Sequence, residues 1–471
     1  MIGFIRKLLK DRRGNVLAIA CAALPMIIGC AGLATDTIEW TLWKRQLQRA
    51  ADSAAIAGVY DRLSATGATT NTSNAVCNDL GVNLHTWMGL KATSPCTGTV
   101  GSYTNLTYPA DSGNQTYQVQ VTLQIQQPLP FSSLFMSAAP VIQATATAAA
   151  IGSNGLACIE SLDTSTSTGV TFSGGSTIEM PNCDVFSNSS ATNAAVGKGN
   201  TSVVANSVGA VGGVQQSNNF TVNSYKPYSS PLPDPFAGVT PDPSDMKCAG
   251  HWVTSGNNGN GGGAGNVSTW VYDSLSDSTD MANATYLDAD GVTTHTGANC
   301  WTSMLVGSNR TLTVPNNFGP IYVNGGNAQL QGNFSCTGCT IVLTNKDTSS
   351  TATIGQITVN AGVNNNITAP TTGTFKGIAV YQDRRAAICT GNCDNLNGNS
   401  SSIITGAIYT PRQEVYYNGN GTVSATCTMF VSYRVTFNGN SALSNKFQDL
   451  SQCSGAGLPG ASVSKVVRLV A

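Results

Sequence analysis

Four short patterns in this chain carry residue types that could do chemistry. Asp163-Thr-Ser165-Thr-Ser167 spells D-x-S-x-S, in which a carboxylate and two hydroxyls can share a Mg²⁺ ion. That chemistry needs the Asp at the end of a buried parallel strand, with a helix next. Here Thr-Gly-Val-Thr-Phe-Ser-Gly-Gly follows, a β segment, so a solvated Ser/Thr turn is expected. Cys336-Thr-Gly-Cys339 has redox spacing, but a reactive thiolate needs a helix starting between its cysteines, and Thr-Ile-Val-Leu follows. A structural disulfide is expected there, and likewise at Cys389-Thr-Gly-Asn-Cys393. Asp288-Ala-Asp290-Gly291 opens like a calcium loop, yet Asn299 stands at position 12, where a bidentate Glu belongs. A hairpin turn is the expectation. The three histidines, His85, His251 and His295, lie far apart, and no Ser/His/Asp set or phosphate loop stands out. No catalytic residue, metal or cofactor is expected, although carboxylates in a groove leave a polysaccharide-active enzyme as an alternative.

The elements that would position these residues follow from composition and periodicity. The 471 residues include 23 Lys+Arg and 24 Asp+Glu, a net charge of -1, which argues against a nucleic-acid partner. Charged residues make up 10%, against about 25% in ordinary domains, while Gly reaches 50 residues. Hydrophobic residues, at 41%, are too many for a disordered chain. A charge-poor, Gly/Asn-rich, mainly β protein is indicated.

The first forty residues point to a membrane. Arg6, Lys7, Lys10, Arg12 and Arg13 precede Val16 to Ala34, 19 residues without a charge. At 1.5 Å per residue that run crosses a hydrocarbon core of about 30 Å. The cations place the N-terminus in the cytoplasm. Of 14 cysteines, two (Cys21 and Cys30) lie in the run. The other twelve are Cys77, Cys96, Cys158, Cys183, Cys248, Cys300, Cys336, Cys339, Cys389, Cys393, Cys427 and Cys453, candidates for disulfides in an oxidising space. Ile27-Ile28-Gly29-Cys30 reads as a lipoprotein-type box and the apolar run as a cleavable signal, so lipidation and cleavage stay open beside an uncleaved anchor. Past the run, Trp40, Trp43, Leu47, Ala51 and Ala54 recur at helical spacing, a face expected to dock a partner.

Asp11-Arg-Arg-Gly-Asn-Val16, the apolar run, Asp36, and Gln46-Leu-Gln-Arg-Ala-Ala-Asp-Ser-Ala-Ala55 together resemble the N-terminal segment of the TadG-like family of tight-adherence (Flp-type) pilus-assembly proteins. The resemblance implies a single-pass bacterial inner-membrane anchor with a periplasmic body. It implies as partners the lipid bilayer and other pilus-assembly or pseudopilin subunits. Related pilins are cut after a Gly and carry a Glu five residues on; the fifth residue after Gly14 is Ile19. That departure favours an uncleaved, non-catalytic accessory.

Three regions are expected. Residues 1–58 form the flank, span and juxtamembrane helix. Residues 59–154 form a pilin-like α+β segment, with Cys77–Cys96 as a staple and alternating strands at Tyr117–Gln126 and Pro140–Ala148. Residues 155–471 recur as short Val/Ile/Phe-rich strands between Gly/Asn corners, without a helical period. That texture suits a disulfide-tied right-handed parallel β-helix, with a β-sandwich as alternative. Lys226 to Pro243 reads as a stiff Pro-rich crossing, and residues 245–305 as an insertion tied by Cys248 and Cys300. The function expected is an accessory of pilus assembly or secretion; the alternatives are a surface adhesin for glycan or host protein, and the enzyme named above.

Overall fold

The computed structural model describes residues 15–65, 67–84, 103–112, 115–134, 136–152, 156–255, 267–360, 362–398, 403–419, 422–425, 427–445, 453, 458 and 465–470. The chain divides into two compact units, Met1–Gly152 with Val467–Ala471, and Ser153–Val466.

A helix of 50 residues, α1 (Asn15–Ser64), dominates the first unit; at 1.5 Å per residue it is about 75 Å long. From Ile19 to Ala31 it is largely bare. Ile19, Leu24, Met26, Ile27 and Ile28 are all exposed. Its second half forms one wall of a core, burying Trp43, Leu47, Ala50, Ala51, Ala54, Ala55 and Val59. Helix α2 (Thr72–Asn83) supplies Val76 and Leu80 to the same core. A sheet supplies the rest: β1 (Tyr103–Thr107), β2 (Gln115–Ile125), β3 (Ile142–Gly152) and the final strand Lys465–Leu469, in that order. The β1–β2 and β2–β3 pairs are antiparallel. The period-two pattern puts Val119, Val121, Leu123 and Ile125 inside with Ala144, Ala146, Ala148 and Ala150.

Alanines on β3 and small residues on α1 let helix and sheet approach closely. At Gly58 an added Cβ would come within 2.8 Å of Val119 Cγ1. The face expected to dock a partner is therefore filled by the chain's own sheet, and only Trp40 of that set stays half-buried. Close packing was legible in the small residues; the identity of the neighbour was not. Two further features depart from expectation. Helix α2 arises in a stretch to which the sequence pattern assigns no element, and the chain's end returns to the first unit's sheet instead of completing the β body.

The second unit is built on a sheet of 21 strands whose described pairings are parallel. Sandwich sheets are antiparallel, so this pairing is not that of the alternative fold. Three ladders run through it. In one, Ile321, Ile341, Val380, Ile408, Phe430, Ile159, Val185 and Val208 succeed one another strand by strand. A second stacks Leu396, Tyr417, Phe437 and Phe172, with the Phe437 and Phe172 rings 5.3 Å apart. The third carries Val423, Leu443, Ile178, Val203 and Phe220. Corners are tight. Gly338, at φ +73°, alone separates Asn333–Thr337 from Cys339–Thr344.

Stacking order is not chain order. Thr428–Asn438 pairs with Leu156–Ser161 and Val170–Phe172, so the last strands of the unit lie beside its first. The backbone leaving Phe220–Lys226 at one end of the ladder must therefore reach Cys300 at the other. The expected insertion holds two hairpins, Gly250–Ser255 with Val267–Tyr272 and Thr285–Leu287 with Thr294–Thr296. It also holds a helix, Ser278–Asn283, which corrects the reading of no helix past residue 155: six residues are too few to show a period. Asp277 caps it, accepting from Thr279 and Asp280 N–H.

Ala54 has no exposed surface, so Ala54→Glu would bury an unpaired carboxylate among alanines. A cost above about 3 kcal/mol is expected. Limited proteolysis of the full-length chain in detergent checks this: cleavage within β2 and β3 should accelerate, and a wild-type pattern would show that the sheet does not hold the helix.

Candidate functional site

The Pro-rich crossing covers one outward row of the first ladder. Tyr322, Val342, Tyr381, Tyr409, Val431, Glu160, Phe186 and Gly209 follow in register, alternating with the inward row. Six prolines between residues 227 and 243 remove N–H donors and fix φ, so this backbone joins no ladder; it runs as irregular chain with a turn at residues 235–238. Side chains of the body satisfy it instead. Asn188 Nδ2 donates to Leu232 O (3.0 Å) while its Oδ1 accepts from Leu232 N–H (2.8 Å). Tyr381 Oη donates to Val239 O (2.9 Å), and Tyr409 Oη donates to Asp234 (2.7 Å). Arg384 donates to Asp234 (3.2 Å), to Val239 O (2.8 Å) and to Phe236 O. Burial pushes both tyrosine hydroxyls up, so they remain donors.

Glu160 lies beneath this clamp, fully buried, and neither carboxylate oxygen has a hydrogen-bond partner among the described residues. Burial, with the charge of Asp234 adding to it, pushes Glu160 up to about 8. Asp394 is likewise pushed by burial up to about 7, although it accepts from Ile357 N–H (2.8 Å). No nucleophile stands beside either acid in these contacts. The cluster holds backbone.

A second polar surface is an open trough of about 550 Å³, lined among others by Thr171, Ser173, Lys198, Glu414, Tyr416, Arg434, Thr436 and Asn438. Glu414 is fixed within it, accepting from Gly391 N–H (2.8 Å) and Thr436 Oγ1 (2.7 Å). Hydroxyls, an amide, an ammonium and a tyrosine on one open surface can hold a hydroxyl-rich ligand.

The D-x-S-x-S segment is a turn. Asp163 accepts from Ser165 N–H (2.8 Å) and Oγ (3.0 Å), and Arg434 Nε donates to it at 2.6 Å. Burial opposes ionisation, but these donors outweigh it and hold the carboxyl below its usual range. A guanidinium stands where a metal would. Asp290 closes the hairpin turn: the Thr293 hydroxyl, then the Thr293 and Val292 N–H groups, hold it down to about 2. His251 pairs with Asp273 (2.7 Å) and His295 with Asp288 (3.2 Å), both exposed; His85 lies outside the described residues. Five disulfides are described: Cys158–Cys183, Cys248–Cys300, Cys336–Cys339, Cys389–Cys393 and Cys427–Cys453. Cys77 is also bonded, Cys96 lies outside the described residues, and Cys21 and Cys30 are free on α1. Sequence reasoning missed Arg384, Asp234, Tyr409 and Glu160. A tandem Arg384-Arg385 in so charge-poor a chain was the one signal available.

These features define a class: a β protein carried on a helix that, among the described residues, is the one long and apolar enough to cross a membrane. Residues 14–62 match a family model described as "Putative Flp pilus-assembly TadE/G-like", which bears out the N-terminal resemblance. Comparison with curated proteins gives no match. Among solved structures, the chain is similar to the competence-associated pilin ComZ from Thermus thermophilus at 10% identity and a TM-score of 0.25, covering 78% of this chain and 86% of that one. A similarity this low fixes no activity.

Two outcomes are expected at the clamp. Arg384→Ala leaves a carboxylate and two carbonyls short of donors, at a cost of roughly 2 kcal/mol. Protease cleavage within residues 226–248 should rise on the order of tenfold; an unchanged rate would remove the clamp. Glu160 keeps its proton in the folded state between its ordinary 4.5 and about 8 and loses it on unfolding, so its burial destabilises increasingly as pH rises through that window. Glu160→Gln should therefore raise the unfolding temperature by several degrees at pH 8 and leave it near wild type at pH 4. An equal gain at both values would contradict a buried neutral acid.

Proposed function

We propose that this chain is a non-catalytic, membrane-anchored accessory of tight-adherence (Flp-type) pilus assembly or secretion. One observation carries the reading: the TadE/G-like match over residues 14–62 falls on the long helix whose second half is built into the first unit. The basic flank and the disulfides support an inner-membrane anchor with a cytoplasmic N-terminus and a periplasmic body. We read the anchor and juxtamembrane segment as residues 1–58, the pilin-like segment as 59–154 and the β region as 155–471. The three parallel ladders support a right-handed parallel β-helix for that last region.

Partner subunits meet α1 on its uncovered flank, where Ile38 and Leu42 are exposed, and not on the buried Ala51–Ala54 side. In a bacterium that carries this gene beside a tight-adherence system, deletion should abolish surface pili. A photo-crosslinker at Leu42 should capture pilus or pseudopilin subunits. Pili and adherence unchanged by the deletion would sink the reading. The trough around Glu414 and Tyr416 favours, as a second reading, a surface protein binding glycan. Glycan-array signal from the full chain that Tyr416→Ala removes would support it; cleaved glycan would point instead to a polysaccharide-active enzyme.

A further inference from the structure

Where α1 leaves its apolar run, a loop of the first unit is fastened to it. Phe131 occupies the space that a Cβ on Gly32 would fill, and Asp36, itself buried, accepts from Ser132 N–H. These two contacts fix the height of the loop along the helix. Gly32 lies within the uncharged run and Asp36 just beyond its end, so the loop meets the helix at the hydrocarbon boundary. The same loop exposes Leu134 (74%), Met136 (44%) and Val141 (55%). Apolar groups at that level face acyl chains.

Immediately beyond, Thr37, Trp40, Thr41, Lys44 and Arg45 of α1 and Val141–Gln143 enclose an open cavity of about 600 Å³. Thr37 to Arg45 lie about 4–16 Å past Ala34 along the helix, and the headgroup layer spans about 5–7 Å beyond the hydrocarbon. Helical side chains lean toward the N-terminus, which brings the Lys44 and Arg45 heads within a few ångströms of that layer's outer edge. The Lys44 ammonium donates to Gln143 O and has two further donors; Arg45 is exposed, with no partner among the described residues. The buried Trp40 Nε1 has no hydrogen-bond partner among the described residues.

We propose that this junction is a seat for an anionic phospholipid. Leu134, Met136 and Val141 enter the acyl boundary, while Lys44 and Arg45 hold the headgroup phosphate. Continuity of the open cavity with the apolar run, and two exposed cations on its wall, select this occupant. The proposal rests on α1 crossing a membrane and deepens that part of the functional reading.

The test uses the full-length chain in nanodiscs of equal phosphatidylglycerol and phosphatidylcholine, with native mass spectrometry of the lipids it retains. Two cations at the surface should enrich phosphatidylglycerol on the order of tenfold. Lys44→Gln with Arg45→Gln should bring the ratio near one, and Leu134→Ser with Met136→Ser should lower the total lipid retained. Equal retention of both lipids by the wild type overturns the seat, as does displacement of phosphatidylglycerol by millimolar inorganic phosphate. Carbonate extraction separates the two readings. A chain that washes off the membrane takes both down, whereas a chain that stays without enrichment removes the seat alone.

Discussion

The second unit depends on a backbone that must travel the length of its own ladder. Because Phe430 pairs with Ile159, the strands after residue 300 stack onto those that began the unit. The connection from Lys226 to Cys300 then has to cross strand after strand. Where that path lies against the ladder, its peptide groups need partners. Prolines remove donors; Asn188, Tyr381 and Arg384 satisfy peptide groups of Leu232, Phe236 and Val239, and Tyr409 holds the Asp234 carboxylate. The Cys248–Cys300 bond then fixes the far end. Disulfide, clamp and prolines thus answer one topological demand.

Charge is spent sparingly for the same reason. In parallel register, identical positions on neighbouring strands lie about 4.8 Å apart, so a repeated charge would repel its copies. Charges in this unit are mostly paired singly: Asp163 with Arg434, Asp234 with Arg384, Asp383 with Arg385. Glu160 and Asp394 are exceptions; Glu160 is a carboxyl in a row of aromatic and aliphatic side chains, kept protonated by its burial. Its cost is tolerated because the ladder around it is long and apolar.

Helix α1 answers to two environments. From Ile19 to Ala34 it presents apolar residues, as suits a lipid-facing segment. Its second half narrows to one small-residue face because a sheet lies against it. Asp36, where one regime gives way to the other, serves as an acceptor for the loop and not as a solvated charge.

The division between what was legible and what was not has a physical basis. Local composition alone marked the apolar run, the close-packing face of α1, the mainly β character and the stiff crossing, because length, period two or 3.6, and proline chemistry act between near neighbours in sequence. Placement of the close-packing face against the chain's own sheet, the return of Lys465–Leu469, and the stacking of Phe430 on Ile159 join residues far apart along the chain. No local pattern encodes them. The same holds for D-x-S-x-S: its turn could be read from Gly and Ser, but the guanidinium that occupies it comes from Arg434, which only the tertiary fold brings within 2.6 Å of Asp163.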